Sequence, residues 1–99
     1  MKKRNEICYN MLEIKIGVSG FIKSEVEDGL SYLLEEFKHR PWVLNPVAYW
    51  DELSKRLIIS VRYNVRESDI EGIAMDEVWD CVIATINFQE KISFEILKS

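Results

Sequence analysis

Leu12, Ile14, Ile16 and Val18 alternate with Met11, Glu13, Lys15 and Gly17. That period of two marks a strand with one buried face, spanning roughly Ile7 to Val18. Gly20 then opens a short connection, and the period changes. Val26, Leu30, Leu33, Leu34 and Phe37 recur at helical spacing on one face. Ser24 with Glu27 has the form of a capping box, hydroxyl to amide and carboxylate back to amide. A helix is therefore predicted from there to about His39. Gly29 costs such a helix up to about 1 kcal/mol against alanine, and marks a place where a strand or partner passes close. Pro41 stops the helix and holds Arg40 out of α geometry.

A second strand is predicted from Val43 to Asp51. Pro46 cannot donate a ladder hydrogen bond, which places this strand at a sheet edge. A turn follows within Asp51 to Arg56, where Asp51 and Ser54 can bond nearby backbone amides. The third strand, Leu57 to Val65, alternates most clearly: Leu57, Ile59, Val61, Tyr63 and Val65 against Ile58, Ser60, Arg62 and Asn64. Ser68 with Glu71 forms a second capping box, and Asp69 adds negative charge at the positive end of a helix dipole. This second helix runs to about Asn87, with Ile70, Ile73, Ala74, Val78, Cys81, Val82 and Thr85 as its core stripe. Lys91 to Leu97 closes the chain as a fourth strand, with Ile92, Phe94 and Ile96 inward.

Strand, helix, strand, strand, helix, strand, joined by right-handed crossovers, folds into a four-stranded antiparallel sheet with two helices on one face. This is the ferredoxin-like β-α-β-β-α-β arrangement of the α+β class. Ninety-nine residues allow one domain, spanning 1–99, with one modest core.

Composition narrows the partners. The chain is 47% hydrophobic and 30% charged, with a formal net charge of −4. Phosphate backbones and anionic membranes need clustered bases, and the one basic run is Lys2-Lys3-Arg4. The outward positions of strands 1 and 3 (Met11, Glu13, Lys15, Ile58, Ser60, Arg62 and Asn64) hold no aromatic ring on which a base could stack. No nucleic acid and no membrane partner are expected. Glu6, Asn10, Glu13 and Lys15 interrupt any export signal, so a cytoplasmic location is expected. Cys8 and Cys81 match no metal spacing and read as small reduced thiols.

Candidate chemistry is thin. His39, the one histidine, falls where an imidazole would cap a helix C-terminus. Glu67, Asp69, Glu71, Asp76, Glu77 and Asp80 read as the solvated face of the second helix, and no metal or cofactor is expected. Two stretches carry a resemblance. Gly17-Val18-Ser19-Gly20-Phe21-Ile22-Lys23 follows the first strand, and Trp42-Val43-Leu44-Asn45 opens the second. They resemble the phosphate loop and the Trp-Val-x-Asn run of acylphosphatases, a family of similar size and fold. That resemblance implies Lys23 in place of the family's arginine, and Asn45 positioning the attacking water. The lysine departs from the pattern, because a point charge replaces a bidentate guanidinium. The segment Val18 to Lys23 is also where ferredoxin-like modules bind amino acids, so a small-ligand sensor is a second alternative.

The feature that weighs most is apolar surplus. Met75, Trp79, Ile83 and Ile86 form a second stripe beside the core stripe of helix 2, whereas an amphipathic surface helix needs one. The outer sheet face adds Met11, Ile58, Leu97, and either Ala48 with Trp50 or the alternate set on strand 2. Trp, Tyr and Met are typical interface anchors. The reading is a non-catalytic interaction module that binds itself, as a symmetric dimer, or a protein partner. Its candidate contacts are Met75, Trp79 and Ile83 on helix 2, and Trp42, Tyr49 and Trp50 on or beside strand 2.

Overall fold

The computed structural model describes residues 10–65, 70–86 and 91–97. The elements are β1 (Asn10–Ser19), α1 (Lys23–Phe37), β2 (Leu44–Asp51), β3 (Arg56–Val65), α2 (Ile70–Thr85) and β4 (Ser93–Leu97). All neighbouring strands run antiparallel in the order β2-β3-β1-β4, so β2 and β4 are the edges. The ferredoxin-like α+β arrangement is formed, with both helices on one side of the sheet.

The alternation along the strands sorts the two faces. Ile14, Ile16, Val18, Leu57, Ile59, Val61 and Tyr63 are buried under the helices. They meet Val26, Leu33 and Phe37 from α1, and Ala74, Val78, Cys81 and Val82 from α2. Ile73, expected in the α2 core stripe, instead lies partly open, at 39% exposure. Gly29 marks the close approach of the helices: a Cβ there would lie 2.8 Å from Ile86 Cγ1 and 2.9 Å from the Thr85 carbonyl oxygen.

Helix α1 starts earlier than its capping signal. The expected cap, Ser24 with Glu27, is not used. Ile22 is the N-cap residue, and its amide donates to Glu25 Oε1 at 3.1 Å. Phe21 is buried in the core directly after the turn at Gly20 (φ 108°), and that anchor fixes where the helix begins. At its other end the backbone amide of His39 donates to the Glu36 carbonyl at 3.1 Å, so His39 closes the last turn through its main chain. Of the second expected cap, Ser68 with Glu71, the Ser68 end and the neighbouring Asp69 lie outside the described residues, as do Ile7 to Tyr9 and Asn87.

Pro46 sits inside a register shift between Leu44 and Val47, where Asn45 takes a φ of 48°. The β2–β3 turn closes as expected around Asp51, whose carboxylate accepts from the Leu53 amide (3.4 Å) and the Ser54 hydroxyl (2.5 Å).

Candidate functional site

Helix α2 and strand β4 share an apolar shelf. Trp79 is 43% exposed and Ile83 41%, while Met75 is partly buried against the core. The Trp79 ring lies 4.9 Å from that of Phe94 on β4, tilted by 46°. Phe94 and Ile96 point to the helix side and are only partly covered. The shelf is therefore continuous from α2 onto β4. Ile86, expected on this stripe, is not part of it: it is buried beside Gly29, beyond the end of α2, where α1 covers it.

The two sheet edges differ chemically. β2 carries a proline and an irregularity, both of which blunt an edge against strand addition. β4 reads Ser93-Phe94-Glu95-Ile96-Leu97, without proline or lysine, and among the described residues it pairs only with β1.

The outer sheet face is mixed. In register it shows Tyr49–Ile58–Gly17–Glu95 in one row and Val47–Ser60–Lys15–Leu97 in the next. Ile58 is only 3% exposed there. The Arg56 guanidinium lies across Gly17, 3.0 Å from where a Cβ would stand, and bonds Glu95 Oε1 at 3.0 Å. Glu13 accepts from the Ser60 hydroxyl at 2.7 Å, which holds its carboxyl below the usual range, with Arg62 and Lys15 helping.

The aromatic trio expected on one surface is split three ways. Tyr49 faces outward, Trp50 packs inward on the core, and Trp42 stands in the α1–β2 loop. Strand periodicity forces the first separation, because neighbours in a strand point to opposite faces. Trp42, although 54% exposed, is tethered: its indole N–H donates to Glu77 Oε2 at 2.5 Å. The other Glu77 oxygen accepts from the Tyr63 hydroxyl at 2.8 Å. Glu77 was expected on a solvated face. It lies four residues before Cys81 and three after Ala74, at the flank of the buried stripe, and that spacing was the available signal.

Around this junction Arg40 bonds the Glu36 carboxylate at 3.0 Å, which keeps its guanidinium firmly charged. Cys81 is a buried free thiol pushed up to about 11 by burial, so it is a poor nucleophile. Burial, then the Glu77 hydrogen bond, pushes the Tyr63 phenol upward as well. Arg40, Trp42 and Tyr63 each donate to a carboxylate here, and the arrangement ties α2 to β3 and to the α1–β2 loop.

At the opposite end of β2, Lys23 pairs with Glu52 at 2.7 Å. Glu52 follows the last residue of β2, whereas Asn45 is its second. Lys23 and Asn45 therefore stand about 20 Å apart along the strand direction. The acylphosphatase-like pair is not assembled, because β2 runs parallel to β1 and carries its first residues away from the β1–α1 junction.

Among the described residues no group of three His, Cys, Asp or Glu side chains is gathered to hold a metal ion. No described helix is long and apolar enough to cross a membrane. No family model matches the sequence. No curated protein matches it. Among solved structures, the chain is similar to a "putative Antibiotic biosynthesis monooxygenase" from Chloroflexus aurantiacus J-10-fl, with 16% identity, TM-score 0.49, and 91% of this chain and 95% of that one covered. It is also similar to part of a formyltetrahydrofolate deformylase from Pseudomonas putida KT2440, with 18% identity, TM-score 0.37 and 91% of this chain covered. The chain spans 29% of the deformylase's length.

Proposed function

We propose that this chain is a non-catalytic interaction module that pairs with a second copy along the β4 edge, with Met75, Trp79 and Ile83 closing over the joint. The observation that carries this is the half-exposed Trp79, in tilted contact with Phe94 beside the less protected edge of the sheet. An added strand would satisfy the β4 backbone groups that have no partner among the described residues, and bring its own apolar side chains onto the shelf. Two antiparallel copies of β4 supply both from one sequence, as a symmetric interface requires. Such pairing brings the two Glu95 side chains close, and each is already neutralised by its own Arg56 at 3.0 Å.

Sedimentation velocity at micromolar concentration tests this. The native chain is expected to run as a dimer, and Trp79→Lys and Ile83→Glu as monomers with unchanged circular dichroism. Tyr49→Lys, on the outer sheet face, should leave the dimer intact. A native chain that stays monomeric overturns the reading. So does a dimer that survives both α2 changes but not the Tyr49 change.

A further inference from the structure

A cavity of about 290 Å³ opens at the β1–α1 junction, lined by Phe21, Ile22, Lys23, Trp50, Glu52 and Lys55. We propose that it is a binding site for a small organic carboxylate with a flat apolar body. It stands beside the β2 edge, across the sheet from β4, and so does not depend on the pairing proposed above.

The lining already holds a carboxylate between two ammonium groups. Lys23 Nζ lies 2.7 Å from one oxygen of Glu52, and Lys55 Nζ 3.5 Å from the other. Two lysines against one glutamate leave a single positive charge on the lining, in a chain of net charge −4. Glu27 adds a more distant negative charge to Lys23. Both ion pairs are more than half exposed, so they hold weakly and an entering anion can displace or share them. Lys55 is fixed in a left-handed conformation (φ 57°), with its amide bonded to the Asp51 carbonyl at 2.8 Å. The hairpin thus carries its lysine from a set position.

The remaining lining is apolar: the buried Phe21, the half-buried Trp50 and the exposed Ile22. Trp50 contributes one further feature. Its indole N–H is buried and meets no acceptor among the described residues. A buried donor without a partner is uncommon, and it marks a place where an acceptor is wanted. A ligand carboxylate can draw on Lys23 and Lys55, while its body lies against Phe21 and Trp50. Few convergent polar groups in an otherwise apolar concavity is the usual build of a small-molecule site.

Phenylacetate is a suitable probe, with phenylacetamide and acetate as controls. The full chain has three tryptophans and hence three indole N–H resonances in a ¹H–¹⁵N spectrum, and Trp50→Phe assigns one of them. Phenylacetate is expected to shift the Trp50 resonance saturably, with a Kd on the order of 1 mM for a ligand this small. Phenylacetamide and acetate should leave that resonance in place. Lys23→Ala and Lys55→Ala should each weaken binding by at least about fivefold, or 1 kcal/mol. Glu52→Gln, which frees both lysines, should tighten it. No shift up to about 20 mM overturns the proposal. So do equal shifts with phenylacetamide or acetate, or weaker binding by Glu52→Gln in a protein whose other resonances are unchanged.

Discussion

Tyr63 of β3 donates its phenolic hydrogen to Glu77 of α2 at 2.8 Å. The bond spans the sheet–helix layer, and the same carboxylate receives Trp42 on its second oxygen. One glutamate thereby fixes the rotation of α2 over the sheet, which decides that Trp79 looks toward β4 rather than toward α1.

Removing that bond has a measurable cost. Tyr63→Phe should destabilise the fold by about 1.5–3 kcal/mol, the usual range for a hydrogen bond to a charged group. Glu77→Ala should cost more, because it leaves the buried Tyr63 hydroxyl with no acceptor. Urea unfolding, read as a shift in midpoint at constant slope, checks both.

The same phenol gives an alkaline signature. Its pKa in the folded chain lies above the ordinary value of about 10, because burial and Glu77 both disfavour the phenolate. Above pH about 10 the unfolded chain loses this proton while the folded chain keeps it. Stability from this group is therefore complete below that pH and falls as the pH rises. Absorbance at 295 nm should show a late tyrosine ionisation that Tyr63→Phe removes.

Cys81 should be inert to thiol reagents in the native chain. Its thiol is buried and ionises near 11, so at pH 8 almost no thiolate is present. In a Cys8→Ser background, labelling by a disulfide reagent should track the unfolded fraction across a urea titration. Labelling as fast as that of the fully unfolded chain, under native conditions, would contradict the burial.

Three glycine-to-alanine changes should rank by what the new methyl meets. At Gly20 it would lie 2.5 Å from the Lys91 carbonyl oxygen, on a backbone of φ 108° that side chains avoid. This change should be the most damaging. Gly29→Ala comes next at roughly 1–3 kcal/mol, since Ile86 and the Thr85 backbone must move, which offsets the helix propensity gained. Gly17→Ala should be mildest, because its neighbour is the movable end of Arg56. Thermal unfolding of the three variants checks the order.

The alternation in β1 and β3, the helical spacing in α1 and α2, and the proline in β2 were legible in the chain, and together they specify element order, sheet face and edge position. These are local properties, set by backbone geometry within a few residues. Surroundings were not legible, because cover comes from residues far away in sequence. Trp42, Tyr49 and Trp50 look alike as a cluster, yet the pleat sends Tyr49 and Trp50 to opposite faces and α2 tethers Trp42. Ile73 and Ile86 exchanged their expected roles, because α1 covers the residue beyond the end of α2 and leaves Ile73 partly open. Glu77 and Glu52 look like any surface acid until the fold supplies Tyr63 to the first and Lys23 to the second. Periodicity states which side of an element is apolar; only packing between distant segments decides what that side touches.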